Sequence, residues 1–247
     1  MPFRRLCAWI FAGLLAATAI TVRLAIMTPG VRILLIGTLL FGMFTGLIYL
    51  IKQSGLHPRA LYPGLFFIAL FVVWMVLADR PPNVPLFRAT YVKRLMKFEG
   101  TRYVRGGETT SGIDCAGLAR SALWQAMLVE GGREFNPELI GKNFWEFWWR
   151  DLSVNAILNG DYGYTKKIGR AARLAGYDTS KLESGDMAVV GDGVHVLVYL
   201  GHGRWIEADP DNKKVVINKA PAKSKRAWFN VPVTFVRWKI LQEPHKN

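Results

Sequence analysis

The stretch Gly-Ile-Asp-Cys-Ala-Gly-Leu, residues 112–118, separates a glycine-rich segment from the start of a predicted helix. Asp114 stands at a position typical of a helix N-cap, and the residues from Ala116 to Val129 favour a helix. Cys115 therefore belongs to the first turn, where the helix dipole and unpaired backbone N–H groups stabilise a thiolate. The same N–H groups can donate to an oxyanion. The alternative for this position is a buried structural cysteine.

The spacing of apolar residues around this turn predicts several helices, followed by strands nearer the C-terminus. Phe87–Glu99 and Glu138–Leu158 are predicted as further helices. After Ser184-Gly185 the apolar residues alternate, which predicts short strands at Met187–Val190, His195–Leu200, Arg204–Ala208, Lys214–Asn218 and Val233–Ile240. Helices followed by an antiparallel β-sheet meander predict an α+β fold.

The predicted strands supply partners for the cysteine. A nucleophilic cysteine needs a base, and that base needs an orienting group. His195 begins one strand, and Glu207 ends the next, so the hairpin between them returns Glu207 close to His195. Cys115, His195 and Glu207 together have the composition of a thiol-peptidase triad. Asp209 is the alternative third member, because a shift in strand pairing would exchange the side chains that face His195.

A metal centre is a weaker interpretation of the same residues. A zinc site built from His195, His202 and Asp209 lacks a recognisable ligand spacing. His202 stands between two glycines in a turn, where we expect it to be exposed. We therefore expect neither a metal nor a cofactor.

Several segments also occur in a familiar order, namely Tyr-Val-Arg-Gly-Gly at 103–107, Gly-Ile-Asp-Cys-Ala-Gly-Leu at 112–118, Leu-Glu-Ser-Gly-Asp at 182–186, His-Val-Leu-Val-Tyr-Leu-Gly at 195–201 and Trp-Ile-Glu-Ala at 205–208. They resemble the motifs Y-x-W-G-G, G-x-D-C-S-G-L, P-G-D, H-V-x-I-Y-x-G and I-H-A of the NlpC/P60 cysteine peptidases. The resemblance covers roughly Phe87 to Ile240.

This resemblance implies a papain-like α+β fold and hydrolysis of the peptide stems of bacterial cell wall, often at a bond involving D-glutamate. It makes Cys115 the nucleophile that forms a thioester, His195 the general base and acid, and Glu207 the orienting third member. Tyr103 and Asp114 fall where the family shapes its substrate site and holds a stem-peptide amine. The N–H of Cys115 would contribute to the oxyanion hole.

The sequence departs from the family pattern at three positions. Arg105 replaces a tryptophan, Ala116 replaces the serine after the nucleophile, and Glu207 stands where histidine, asparagine or glutamine is commoner. A carboxylate at the third position still orients the imidazole and stabilises its protonated form. These departures therefore affect substrate preference more than activity.

The first third of the chain carries uncharged apolar runs at Leu6–Val22, Ile33–Ile51 and Leu61–Ala78. Each approaches the roughly 20 residues that a helix needs to cross a hydrocarbon core of about 30 Å. Residues 1–80 are therefore predicted to form a membrane region with three transmembrane helices, and residues 81–247 the peptidase domain. The alternative for the first run is a cleavable signal peptide, because Ala17-Thr18-Ala19 resembles a cleavage site.

Charge leaves the orientation of this membrane region open. The chain has 32 basic and 18 acidic residues, a net charge of +14, and the positive-inside count is tied between the two sides. The predicted orientation therefore follows from the location of the expected cell-wall substrate. We predict a multi-pass protein of the bacterial inner membrane, with its peptidase domain facing the periplasm or cell wall. The basic run Lys213–Arg226 is interpreted as a solvated, anion-facing loop, and no nucleic-acid partner is expected.

Two motifs leave the partners open. Gly42 and Gly46 form a G-x-x-x-G pair that permits close helix contact, including a homodimer. The tryptophan-rich segment Phe144–Trp149 suits either a core or an anchor at the membrane interface. Stem peptides and the lipid bilayer are the expected partners, with a membrane protein as a further possibility.

Two other functions compete with a peptidase. A non-catalytic membrane assembly factor would use the same fold only to bind stem peptides or a protein. A thiol amidase or acyltransferase would act on another amide or on a lipid. Lipid-acting relatives commonly have histidine ahead of cysteine, whereas here Cys115 precedes His195.

Overall fold

Three apolar helices precede a region of mixed helices and strands. The helices are α1 (Pro2–Val22), α2 (Pro29–Ser54) and α3 (Tyr62–Leu77). The structure is a computed structural model, and it describes residues 2–54, 59, 62–77, 80–221 and 223–243.

One described segment, Pro29–Tyr49 within α2, is long and apolar enough to cross a membrane. The apolar parts of the other two helices, Trp9–Val22 and Tyr62–Met75, are shorter than a span. Leu61 and Ala78, the ends of the third predicted run, lie outside the described residues. The described residues therefore support one span of the three predicted.

Helices α1 and α2 pack against each other along their length. The Thr18 hydroxyl donates to Oγ1 of Thr38 at 3.3 Å. Gly42 faces α1, because a Cβ added to it would lie 3.8 Å from Cδ1 of Leu14, whereas nothing lies within 4 Å of the same position on Gly46. The first glycine of the G-x-x-x-G pair thus packs within the chain.

The mixed part of the chain, residues 84–243, is called the α+β region below. Its helices in the described residues are α4 (Val84–Met96), α5 (Cys115–Glu134), α6 (Pro137–Ile140), α7 (Lys142–Trp149) and α8 (Val154–Asn159). Its strands there are β1 (Glu108–Thr109), β2 (Gly112–Ile113), β3 (Thr165–Ala171), β4 (Met187–Val190), β5 (His195–Gly201), β6 (Arg204–Asp209), β7 (Lys214–Lys219) and β8 (Val233–Trp238).

The main sheet is six-stranded and antiparallel, in the order β3-β8-β4-β5-β6-β7. This confirms the predicted α+β class and the meander from β4 to β7. Strand β3 was not predicted, because Lys166, Lys167, Gly169 and Arg170 interrupt its apolar alternation. The strand tolerates them because it lies at the sheet edge with most of its side chains exposed.

The long helix predicted over Glu138–Leu158 is wrong, since three short helices occupy this stretch. Gly141 separates α6 from α7, and a Cβ there would lie 2.5 Å from the carbonyl oxygen of Pro137. Ser153 then starts α8, accepting from the backbone N–H of Ala156 at 3.2 Å. The new helix starts after Gly141 and Ser153 therefore divide the stretch that the apolar pattern predicts as one helix.

Alternating side chains of the sheet serve two separate cores. On β4, Met187 and Val189 join the core formed with α4 and α5, whereas Ala188 and Val190 join a second cluster. Helix α5 packs beside β5 and β6. This packing brings the first turn of α5 close to the start of β5.

The link between α1 and α2 contacts the α+β region at β1. The carbonyl oxygen of Ala25 accepts from the N–H of Glu108 at 2.8 Å. The carbonyl oxygen of Leu24 accepts from the Thr109 hydroxyl at 3.0 Å. These two hydrogen bonds therefore join the link between the apolar helices to the segment that leads into α5.

A buried ion cluster reinforces this junction. Arg32, in the first turn of α2, is 2% exposed, and its Nη2 contacts both Glu108 carboxylate oxygens at 3.0 and 2.8 Å. Its Nη1 donates to the carbonyl oxygens of Trp148 and Trp149 at 2.5 and 2.7 Å. Arg120 donates to Glu108 from the other side at 2.9 Å. Burial raises the pKa of Glu108, and the two arginines oppose that rise.

Candidate active site

Cys115 is the first residue of α5, as the sequence predicts, and Asp114 is the N-cap. Asp114 Oδ1 accepts from the N–H of Gly117 at 2.6 Å, and its Oδ2 accepts from the N–H of Gly106 at 2.8 Å. A Cβ on Gly117 would lie 2.1 Å from the carbonyl oxygen of Gly107. The cap and this close approach fix the glycine-rich loop against the turn that carries the thiol.

His195, the first residue of β5, lies between the thiol and a carboxylate. Its Nε2 is 2.8 Å from Oε2 of Glu207. Cys115 also lies close enough to the ring to help raise the pKa of His195. Because Nε2 faces Glu207, Nδ1 is the ring nitrogen available to the sulfur. The structure therefore brings Cys115, His195 and Glu207 together in that order.

The imidazole is nearly enclosed, at 2% exposure. Burial alone would lower the pKa of His195, but hydrogen bonds to Cys115 and Glu207 and their negative charges raise it to about 9. The ring therefore carries a proton at neutral pH. A protonated imidazole beside the sulfur is the arrangement that stabilises a nucleophilic thiolate.

Glu207 is fully buried and holds two further polar groups. Its Oε1 accepts from Nη2 of Arg226 at 2.8 Å and from the amide of Asn218 at 3.3 Å. The same guanidinium pairs with Asp209. Residues two apart on a strand share one face, so Glu207 and Asp209 both reach Arg226.

Asp209 does not hold the imidazole in this structure, although sequence reasoning considered it. Its carboxylate accepts from the side chain of Asn212 at 2.6 Å and from the N–H of Asp211 at 2.8 Å. Burial would raise the pKa of Asp209, but these hydrogen bonds and the one from Arg226 bring it below the ordinary value. Asp209 therefore contacts Arg226 and not His195.

Trp228 and Arg226 were missed as site residues by sequence reasoning. The Trp228 ring stacks on the His195 ring with centroids 4.7 Å apart and 23° between the planes. Arg226 ends the basic run that was interpreted as solvated, yet its guanidinium binds two buried carboxylates. No local pattern separates Arg226 from its lysine neighbours, since its partners lie on another strand.

The two predicted substrate-binding residues lie next to the thiol. Burial raises the pKa of Tyr103, and the negative charges of Cys115 and Asp114 raise it further. Arg105 opposes this rise and is itself exposed. His202 lies in the exposed turn between β5 and β6. Tyr103, Arg105 and Asp114 all belong to the segment that leads into the first turn of α5.

The profile of the NlpC/P60 family matches residues 100–231, which is more than half of the chain. No curated protein is significantly similar to this chain.

Solved structures that are similar to part of this chain include the following three. The NlpC/p60 domain of the peptidoglycan hydrolase SagA has 22% identity and a TM-score of 0.36, covering 61% of this chain and 97% of that one. The P60 domain from the M. avium subspecies paratuberculosis antigen MAP1204 has 18% identity, a TM-score of 0.38 and coverages of 65% and 98%. The peptidoglycan hydrolase RipB from Mycobacterium tuberculosis has 18% identity, a TM-score of 0.40 and coverages of 69% and 72%.

Proposed function

Because the chain belongs to the NlpC/P60 family of cysteine-peptidase-like hydrolases, we propose that it is a membrane-anchored endopeptidase of bacterial cell-wall stem peptides. The observation that carries the proposal is the contact series from Cys115 through His195 to Glu207. A module that only binds peptides has no use for a thiol, a base and an orienting carboxylate in bonding order.

In this mechanism the thiolate of Cys115 attacks the carbonyl carbon of the scissile amide. The resulting oxyanion accepts a hydrogen bond from the backbone N–H of Cys115 at the start of α5. The tetrahedral intermediate collapses when the imidazolium of His195 gives its proton to the leaving amine, which leaves a thioester. His195 then takes a proton from water, and the hydroxide displaces the sulfur to release the carboxylate product. Glu207 holds the ring in place throughout.

The polar and charged residues near the thiol suggest which groups of a substrate each of them would bind. Tyr103 and Asp114 offer a hydroxyl and a carboxylate close to the sulfur, which suit the free amine of a stem peptide. Arg105 adds an exposed cation next to Tyr103 where the family usually has an apolar ring. An arginine at this position would favour substrates that carry an acidic group near Arg105. Salt would weaken this attraction, because Arg105 is exposed.

The anchor is proposed as residues 1–80, with residues 81–247 as the catalytic domain. The link between α1 and α2 contacts β1, so the opposite ends of both helices point away from the α+β region. Arg32 and Arg80, counted on the domain side, are bound within the protein: Arg32 pairs with Glu108, and Arg80 donates to the carbonyl oxygen of Glu134. The domain is proposed to lie outside the cytoplasm because the cell-wall substrate lies there.

Cleavage of purified stem peptides by the full chain in detergent tests this function. We expect two fragments whose masses sum to the substrate plus one water, with a new amine and a new carboxylate. Alkylation of the protein with iodoacetamide should stop the reaction, because the thiolate is the attacking group. Binding without fragments would instead support the non-catalytic module, and a product joined to an added amine would support an acyltransferase.

The substitution Glu207→Gln tests the third member through pH. The charge of Glu207 helps to raise the pKa of His195, so its removal should lower that pKa from about 9. The basic limb of kcat/KM, where His195 loses its proton, should then move to lower pH. We expect kcat/KM to fall by about 10–100-fold, as is typical when a residue that orients a functional histidine is replaced.

Asp209→Asn is the matched control. Asp209 lies on the same face of β6 as Glu207 and also binds Arg226, but it does not contact His195. It should displace the basic limb less than Glu207→Gln does. Equal displacement in both variants would mean that the limb reports the general charge of the cluster and not the contact with the ring.

A further inference from the structure

Helix α7 lies between the domain-side ends of α2 and α3. At its start, Gly141 packs against α3, because a Cβ there would lie 3.0 Å from the carbonyl oxygen of Met75. At its end, the carbonyl oxygens of Trp148 and Trp149 accept from Arg32 in the first turn of α2. A helix of this length extends about 12 Å. The axis of α7 therefore runs across the ends of two apolar helices.

The two sides of α7 differ in burial. Phe144 and Phe147 are 7% and 3% exposed and belong to the core. Trp145 and Trp149 are 52% and 43% exposed, and their spacing of four residues places them on one side of the helix. The segment is thus neither wholly core nor wholly surface, and its exposed side presents two large rings.

These rings lie at the level where the apolar surface of α2 begins. Arg32 is buried against α7, whereas Ile33 and Leu34, the next residues, are 60% and 54% exposed. Phe135 is also an exposed aromatic ring. It follows Glu134, whose carbonyl oxygen binds Arg80 just beyond α3.

We propose that α7 is an interfacial helix, whose Trp145 and Trp149 rings lie in the headgroup region of the bilayer that holds α2. The inference rests on the proposed membrane anchoring. Tryptophan favours this region because its ring is apolar and its N–H still finds polar partners. The surface is continuous with the apolar face of α2, which commits it to lipid. The contact would fix the catalytic domain at one tilt above the membrane.

Fluorescence quenching by brominated lipid tests the contact. The full chain with Trp9→Phe and Trp74→Phe, which removes tryptophans of α1 and α3, is placed in phosphatidylethanolamine–phosphatidylglycerol vesicles. These vesicles contain lipid brominated near the headgroup end of its acyl chains. Adding Trp145→Phe and Trp149→Phe should remove most of the quenching. Trp205→Phe is the matched control and should remove none, because Trp205 lies in the core at 1% exposure.

Carbonate extraction of the same vesicles separates the failure of this inference from failure of the anchor. If the chain resists extraction and the variants leave quenching unchanged, the interfacial helix is overturned while the anchor stands. If carbonate releases the chain, the anchor itself fails, and the inference fails with it. A change of oligomeric state in the Trp145→Phe/Trp149→Phe variant, with no change in quenching, would mean that a second copy covers the rings.

Discussion

Replacing Cys115 with alanine should reduce kcat/KM for stem peptides by about 10⁴-fold or more, because no other group in the site can form the thioester. Cys115 lies in the first turn of α5 and close enough to His195 to help raise the pKa of the imidazole. Fragment yield measured by mass spectrometry, with substrate in excess, checks the loss. Cleavage that survives in this variant would require a different nucleophile and would overturn the mechanism.

The same variant has a second readout that does not depend on activity. Cys115 contributes both a hydrogen bond and a negative charge to the raised pKa of His195. Its removal should therefore lower that pKa, measured from the ring proton shifts of His195 by NMR titration. Ala116→Ser, which restores the serine usual in the family, is the control: it should keep the activity and leave the titration of His195 almost unchanged.

Replacing Arg32 with methionine should lower the stability of the full chain by about 3–5 kcal/mol, the cost typical of breaking a buried ion pair by removing one partner. Glu108 would lose a cation that touches both of its oxygens, and the carbonyl oxygens of Trp148 and Trp149 would lose their donor. Thermal unfolding in detergent, followed by near-ultraviolet circular dichroism, measures the change.

Arg23→Met is the matched control, because Arg23 lies exposed near the same link between α1 and α2. Its effect should stay within about 0.5 kcal/mol, as for ordinary surface positions. The double variant Arg32→Met/Glu108→Gln should lose less than the sum of its single variants, since the two charges compensate each other. Equal melting temperatures of the Arg32→Met and Arg23→Met variants would show that the ion cluster contributes nothing to stability.

Features that depend on neighbouring residues were predictable from the sequence. The N-cap at Asp114 and the helix start at Cys115 follow from a few adjacent residue types. The hairpin that brings Glu207 to His195 follows from alternation and a glycine turn. Such patterns depend only on residues close together in the sequence, so Cys115 and His195 can be proposed as thiol and base without knowledge of the fold.

Features that depend on distant partners were not predictable. Arg32 and Glu108 are 76 residues apart, and nothing near Arg32 distinguishes it from a charge that flanks a span. Arg226 resembles the lysines before it, and only the fold places two carboxylates in its reach. Strand β3 lacks alternation because its edge position removes the need for it.

Arg226 supplies one positive charge to two buried carboxylates, Glu207 and Asp209. The thiolate–imidazolium pair of the proposed mechanism is neutral as a whole, so one guanidinium between two carboxylates leaves this cluster with a net negative charge. The whole chain, by contrast, carries +14. For the proposed stem-peptide substrate, we therefore expect the basic chain to attract the acidic end from a distance and the acidic cluster to favour the ammonium end at short range.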